Sequence, residues 1–145
     1  MIKVSRFFYE PSEHERERAS NSYVMSLVAI VAGLPMPIVN LIATFFFFMA
    51  NRRSPYFVRW HCRQALYSQM SLLVMNTVAV WWTISLFYYA TMPTAFYFAY
   101  ITTVVIYNIA EFVATIYTAI QTRKGIHVEW LFYGTLTNQT CKDHE

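Results

Sequence analysis

Charge is almost absent between Tyr23 and Gln121, and that absence decides what this chain can fold into. The exceptions are one cluster, Arg52, Arg53, Arg59 and Arg63, and a single acid, Glu111. Over the full 145 residues 57% of the side chains are hydrophobic and 13% are charged, against about 25% charged in soluble domains. A soluble fold of this length has too little interior for so much apolar surface. The expected class is therefore an all-α membrane protein, because helices satisfy their own backbone in lipid.

Three apolar segments follow from the punctuation. The first, Tyr23 to Ala50, is interrupted by Gly33-Leu34-Pro35-Met36-Pro37, and two close prolines break a helical hydrogen-bond ladder. Unbroken, it would reach about 42 Å, more than the roughly 30 Å hydrocarbon core requires, whereas each half reaches only about 20 Å. It is either a kinked span or a helical hairpin. Ser54-Pro55 reads as an N-cap followed by proline at the first helical position, opening a second helix that runs to about Tyr89. Trp81, Trp82, Tyr88 and Tyr89 would form the aromatic belt at its far end. A third helix is expected from Thr94 to Thr122, stopped by Arg123-Lys124-Gly125. The expectation is two long transmembrane helices plus the broken segment, forming a small bundle.

The flanks are polar. Residues 1–22 lack the basic-then-apolar order of a cleaved signal, and Ser12-Glu13-His14-Glu15 matches a capping box that would start a solvated helix. Glu13 and Glu15 stand three residues before Arg16 and Arg18, the spacing of weak helical ion pairs. Residues 23–122 form the membrane domain and 123–145 a cytoplasmic tail, within which Ile126 to Gly134 is too short to span and is expected on the membrane surface. Arg52, Arg53, Arg59, Arg63, Arg123 and Lys124 adjoin apolar runs and read as lipid-headgroup anchors rather than as a nucleic-acid surface. A hairpin first segment puts all eleven basic residues on one side, the cytoplasmic one, and a single span does not.

The polar residues inside the membrane are the candidate site. Asn108, Glu111, Thr115 and Thr118 share one face of the third helix; Gln69, Asn76 and Thr83 recur at seven-residue spacing on the second; the first offers Asn40 and Thr44. An ionised carboxylate at the bilayer centre costs about 2.5–3.5 kcal/mol. Glu111 is therefore expected to be protonated or held in a network, with Asn40, Asn76 and Asn108 as partners at similar depth. It is either an interhelical clamp or a functional group. No nucleophile, base and orienting group converge, the histidines are scattered, and Cys62 and Cys141 match no metal or disulfide framework. No enzyme activity, metal or cofactor is expected.

The stretch Ser54-Pro55-Tyr56-Phe57-Val58-Arg59-Trp60-His61-Cys62-Arg63-Gln64-Ala65-Leu66 resembles the pattern Ser-Pro-Phe-Val-x-x-His-x-x-Gln-Ala-Leu-Asn-Phe-Gln. That pattern belongs to small bacterial membrane proteins of unknown function, distantly similar to the twenty-kilodalton translocon (Tic-twenty-like) family of the chloroplast inner envelope. Gly33 to Asn51 is similar to the family's broken first segment, with Asn40 at its asparagine, and Ala119 to Gly125 resembles its closing Ala-Ile-x-Ala-x-x-Gly. Tyr67 and Ser68 replace the usual Asn-Phe before Gln69. The resemblance implies a four-helix protein with both termini on one side and marks Ser54, Pro55, His61, Gln64, Ala65, Gln69 and Gly125 as motif positions. The function expected is a non-enzymatic accessory or protein-translocation-related subunit of a larger complex in a bacterial inner membrane, or an organellar one. The alternative is a small transporter or channel using Glu111 and the asparagines. Its partners would be the bilayer and other membrane subunits or further copies of itself.

Overall fold

The capping box predicted at Ser12 forms: the Ser12 amide donates to Glu15 Oε2 at 2.6 Å, and the Glu15 amide donates to Ser12 Oγ at 3.3 Å. In the computed structural model, which describes residues 2–33 and 37–141 and places no side chain at 29–40, helix α1 follows as Glu13–Gly33. The polar helix and the first half of the apolar segment are thus one element. Glu15 also accepts from the Tyr9 hydroxyl, and Arg16 donates from Nε to the Pro11 carbonyl. The cap and the preceding loop use these two side chains, not the helical ion pairs expected for them.

Helix α2, Pro37–Asn51, opens on a proline, whose fixed φ suits a first helical position. It turns back along α1: Phe47 and Phe48 near its end pack on the cluster of Ala19, Phe57, Val58 and Cys62. The start of α1 and the end of α2 therefore lie side by side, which is the hairpin alternative. Helix α3 is Tyr56–Tyr88 and helix α4 is Ala95–Arg123. The N-cap of α3 is Pro55 rather than Ser54, whose hydroxyl donates instead to Asn51 Oδ1 at 3.4 Å. Thr94 caps α4 by accepting from the Tyr97 amide. Gly125 takes a φ of +80° beyond the end of α4, so the backbone favours glycine, and a Cβ there would stand 3.0 Å from Arg16 Cδ and press that side chain aside.

The tails differ most from expectation. Strand β1, Ile2–Arg6, pairs antiparallel with strand β2, Ile126–Trp130, in the register Ile2↔Trp130, Val4↔Val128 and Arg6↔Ile126. Helix α5, Leu131–Thr140, then lies along α3: Trp60 Nε1 donates to Asn138 Oδ1, Tyr67 to Thr140 Oγ1 and Tyr56 to the Cys141 carbonyl. The segment from Ile126 that was expected on the membrane surface is a strand and helix start folded onto the bundle. Both tails meet at one end, with the α2–α3 turn and the end of α4; Arg123 there pairs with Glu17 at 3.2 Å.

The core sits at this charged end. Tyr23, Phe57, Trp60, Ala65, Val128 and Trp130 are buried there. Away from it α3 and α4 stand uncovered: Trp81, Phe87, Met92 and Phe96 are 68%, 84%, 88% and 81% exposed. Only 11% and 17% of the most apolar stretches of α3 and α4 are buried. Core helices of a soluble protein would be hidden; these two are long and apolar enough to cross a membrane, and their exposed surface suits lipid.

Candidate functional site

The antiparallel seam between α3 and α4 is a ladder of polar side chains. From the far end it runs Thr83 to the Tyr97 hydroxyl at 3.0 Å, Tyr100 to the Met75 carbonyl at 3.0 Å, Asn76 with Asn108, Ser71 to Tyr107 at 2.7 Å, and Ser68 to Glu111 Oε2 at 2.9 Å. Asn76 and Asn108 exchange two hydrogen bonds, at 3.1 and 2.8 Å, and Asn108 also reaches the Val104 carbonyl. They bond one another rather than Glu111. The Asn40 side chain lies outside the described residues.

Glu111 is instead the centre of a tyrosine cluster. Its Oε1 accepts from Tyr107 at 3.1 Å and from Tyr133 at 2.9 Å, and the two tyrosine oxygens are 2.5 Å apart. Tyr107 sits one turn before Glu111 on the same face, a spacing visible in the sequence. Tyr133 comes from α5 and no local pattern announces it. The cluster lines a cavity of about 180 Å³ between α4, β2 and α5. Burial pushes the Tyr133 hydroxyl above the usual tyrosine range. Thr115 turns back to the Glu111 carbonyl on its own helix, and Thr118 accepts from Trp130 Nε1 at 2.7 Å.

The motif residues build a second network at the charged end. Gln64, fully buried, donates from Nε2 to the Val128 carbonyl at 3.1 Å and accepts the Trp130 amide on Oε1 at 3.1 Å. Its amide thereby substitutes for a neighbouring strand along β2. Nε2 also donates to the Tyr23 hydroxyl at 2.9 Å, which lies 2.9 Å from His61 Nδ1. His61 Nε2 is 3.3 Å from His127 Nδ1, and His127 Nε2 is 3.7 Å from Glu129 Oε1. One set of directions fits the hydrogen-bonded atoms, Gln64 to Tyr23 to His61 to His127, with both imidazoles neutral and protonated on Nε2, which leaves the His127 Nε2 hydrogen facing the Glu129 carboxylate. Burial holds His127 below the usual histidine range, against the pull of Glu129. Ala65 packs with Tyr23 and Ala119, and Gln69 is buried one turn below.

The basic residues divide between protein and surface. Arg63 donates to the Thr140 carbonyl and lies over the Phe48 ring, Arg59 lies over Tyr56, and Arg123 pairs with Glu17. Arg52, Arg53 and Lys124 are exposed. Both cysteines are buried, and they form no disulfide with one another. Among the described residues no three His, Cys, Asp or Glu side chains converge.

The model of the magnetosome magnetite crystal formation protein family, MamF/MmsF, matches residues 19–135. The chain belongs to this family. The match runs from the first turns of α1 to the middle of α5, taking in both networks and every helix of the bundle. No curated protein and no solved structure matches the chain. The family is a bacterial magnetosome membrane family, and a relation to the chloroplast translocon family finds no support. The resemblance misled for a physical reason. His61, Gln64 and Ala65 are spaced to bury one face of α3 against α1 and β2, so the pattern reports a packing face of this bundle. With the translocon relation goes the expectation of a protein-translocation role.

Proposed function

We propose that the chain is a non-enzymatic accessory subunit of the membrane assembly that forms magnetite crystals. The observation that carries this reading is the uncovered apolar surface of α3 and α4 below a core confined to one end. A single copy leaves most of both spans to lipid or to neighbouring subunits. Family membership supports the biological setting. The clustering of the described basic side chains at the end that holds both tails supports a cytoplasmic position for that end. The opposite turn, 89–94, is uncharged, so in that orientation it offers no carboxylate to a mineral surface, and the chain's contribution would run through its partners.

Affinity purification of a tagged chain from magnetite-forming cells in mild detergent tests this. Stable co-purification with other membrane proteins of the same vesicles is expected, together with altered crystal size when the gene is deleted. A chain recovered only as a free monomer, with crystals unchanged in its absence, would overturn the reading.

A further inference from the structure

Where the end of β1, the loop after it, the first turn of α1 and the turn after α4 meet, they leave an open cavity of about 570 Å³. Its charged lining is Arg6, Arg16, Lys124 and one acid, Glu10. The cations come from three separate stretches of the chain, and the β1–β2 register, which sets Arg6 opposite Ile126, brings the first beside the last. A cleft lined mostly by one sign of charge concentrates ions of the other sign. Glu10 does not cancel the excess: among the described residues the ion pairs are Arg123 with Glu17 and His127 with Glu129, and none joins Glu10 to a cation of the cavity.

Arg16 is held in advance. Half-buried, it donates from Nε to the Pro11 carbonyl at 2.8 Å, and its stem crosses Gly125, where a Cβ would stand 3.0 Å from Cδ and 3.3 Å from Nε. One nitrogen and the stem are thereby fixed, while the described residues give the two terminal nitrogens no acceptor. We propose that this cavity binds a phosphate group, carried by an anionic lipid headgroup or free in solution. The end of a guanidinium offers two parallel N–H groups that match two oxygens of one phosphate. Because Arg16 is already ordered, little rotamer freedom is lost on binding. Lys124 and Arg6, both exposed, add charge without being tied to a protein partner among the described residues. The volume falls within the range of about 300–1,000 Å³ common to small-molecule sites, so a phosphate enters together with the group esterified to it. Helix α4 is long and apolar enough to cross a membrane and ends at Arg123, next to Lys124, so a crossing α4 sets the cavity at headgroup depth. The exposed ring of Phe8 lines the same cavity, in keeping with an aromatic at that depth. The site stands on its own geometry and does not depend on the accessory role.

The test uses the full-length chain in an uncharged detergent at fixed ionic strength. Bound phosphatidylglycerol is counted by native mass spectrometry, with diacylglycerol as the phosphate-free control, and inorganic phosphate is titrated separately by calorimetry, with acetate as its control. One firmly held phosphatidylglycerol per chain is expected, and no diacylglycerol. Its displacement by inorganic phosphate would assign the free anion as a ligand too, whereas failure of phosphate to displace it would assign the headgroup. Arg16→Gln and Lys124→Gln should each weaken binding by about tenfold or more, the loss of a hydrogen bond to a charged group. The Lys124 side chain makes no hydrogen bond or ion pair among the described residues, so its replacement spares the fold. Lys3→Gln removes the same charge from β1 outside the cavity and should leave binding unchanged. Binding of neither probe by the unaltered chain would overturn the proposal. Equal binding of the phosphate-free controls, an equal loss in Lys3→Gln, or binding unmoved by both cavity substitutions would overturn it as well.

Discussion

Replacing Gln64 by leucine should release the carboxyl-terminal elements from the bundle while leaving the α3–α4 hairpin in place. The side chain is fully buried and similar in size to leucine, so little cavity opens. What is lost is the partner of the Trp130 amide and of the Val128 carbonyl, along with one donor to Tyr23. Tyr23 keeps its contact with His61. Two backbone groups are therefore orphaned, each costing about 1–3 kcal/mol when buried without a partner, and leucine recovers part of this by being apolar. A net loss of about 2–4 kcal/mol is expected, which speeds exchange through local opening about 30- to 1000-fold. Hydrogen exchange in detergent, read at the amides of β2 and α5, measures it. Amides in the middle of α3 and α4 should be unaffected. Unchanged protection at Trp130 would refute the claim that Gln64 serves β2 as a strand edge.

The histidine relay makes the same docking sensitive to acid. Because burial depresses His127 in the folded state, the folded chain resists a proton that the unfolded chain accepts; stability is intact above about pH 6.5 and falls as pH drops below it. Protonation would also turn His127 Nδ1 into a donor facing the His61 Nε2 hydrogen. Tail exchange should therefore accelerate on acidification, and His127→Gln should flatten that profile. The asparagine pair gives a different signature. Asn76→Leu alone should destabilise the hairpin by about 0.6–1.7 kcal/mol, because it strands Asn108. The double change to leucine at 76 and 108 should recover most of that loss in detergent unfolding, and strictly additive losses would show that the two amides do not interact.

Period and punctuation made the bundle legible. The charge-free run named the solvent, the prolines divided the first segment, and Thr94 and Gly125 bounded α4 within a residue. Seven-residue spacing placed Asn76 and Thr83 on the seam, and helical spacing put Asn108 with Glu111. It failed wherever a contact crosses the chain. Tyr133 and Trp130 lie in a segment too short to classify by period, and the strand that holds Trp130 depends on a partner about 125 residues away. The asparagines were assigned to Glu111 because all share a similar depth. Depth does not fix azimuth or helix offset, and the actual register sets Asn76 against Asn108 and leaves Ser68 for the carboxylate. The motif around His61 was visible as a pattern, but the pattern alone could not distinguish a packing face from a family signature.

Strand β1 is made first and its partner β2 more than a hundred residues later. A ribosome making this protein therefore delivers α1, α2 and α3 while Tyr23, His61 and Gln64 still face an unfinished surface. The buried end becomes watertight only when residue 130 has emerged and the two tails zip together. Until then the half-built protein exposes polar side chains and an unpaired strand at the membrane surface. Anything that detains it at that stage, whether a chaperone, a protease or a waiting subunit, would act on the early part of the chain before the late part can claim it.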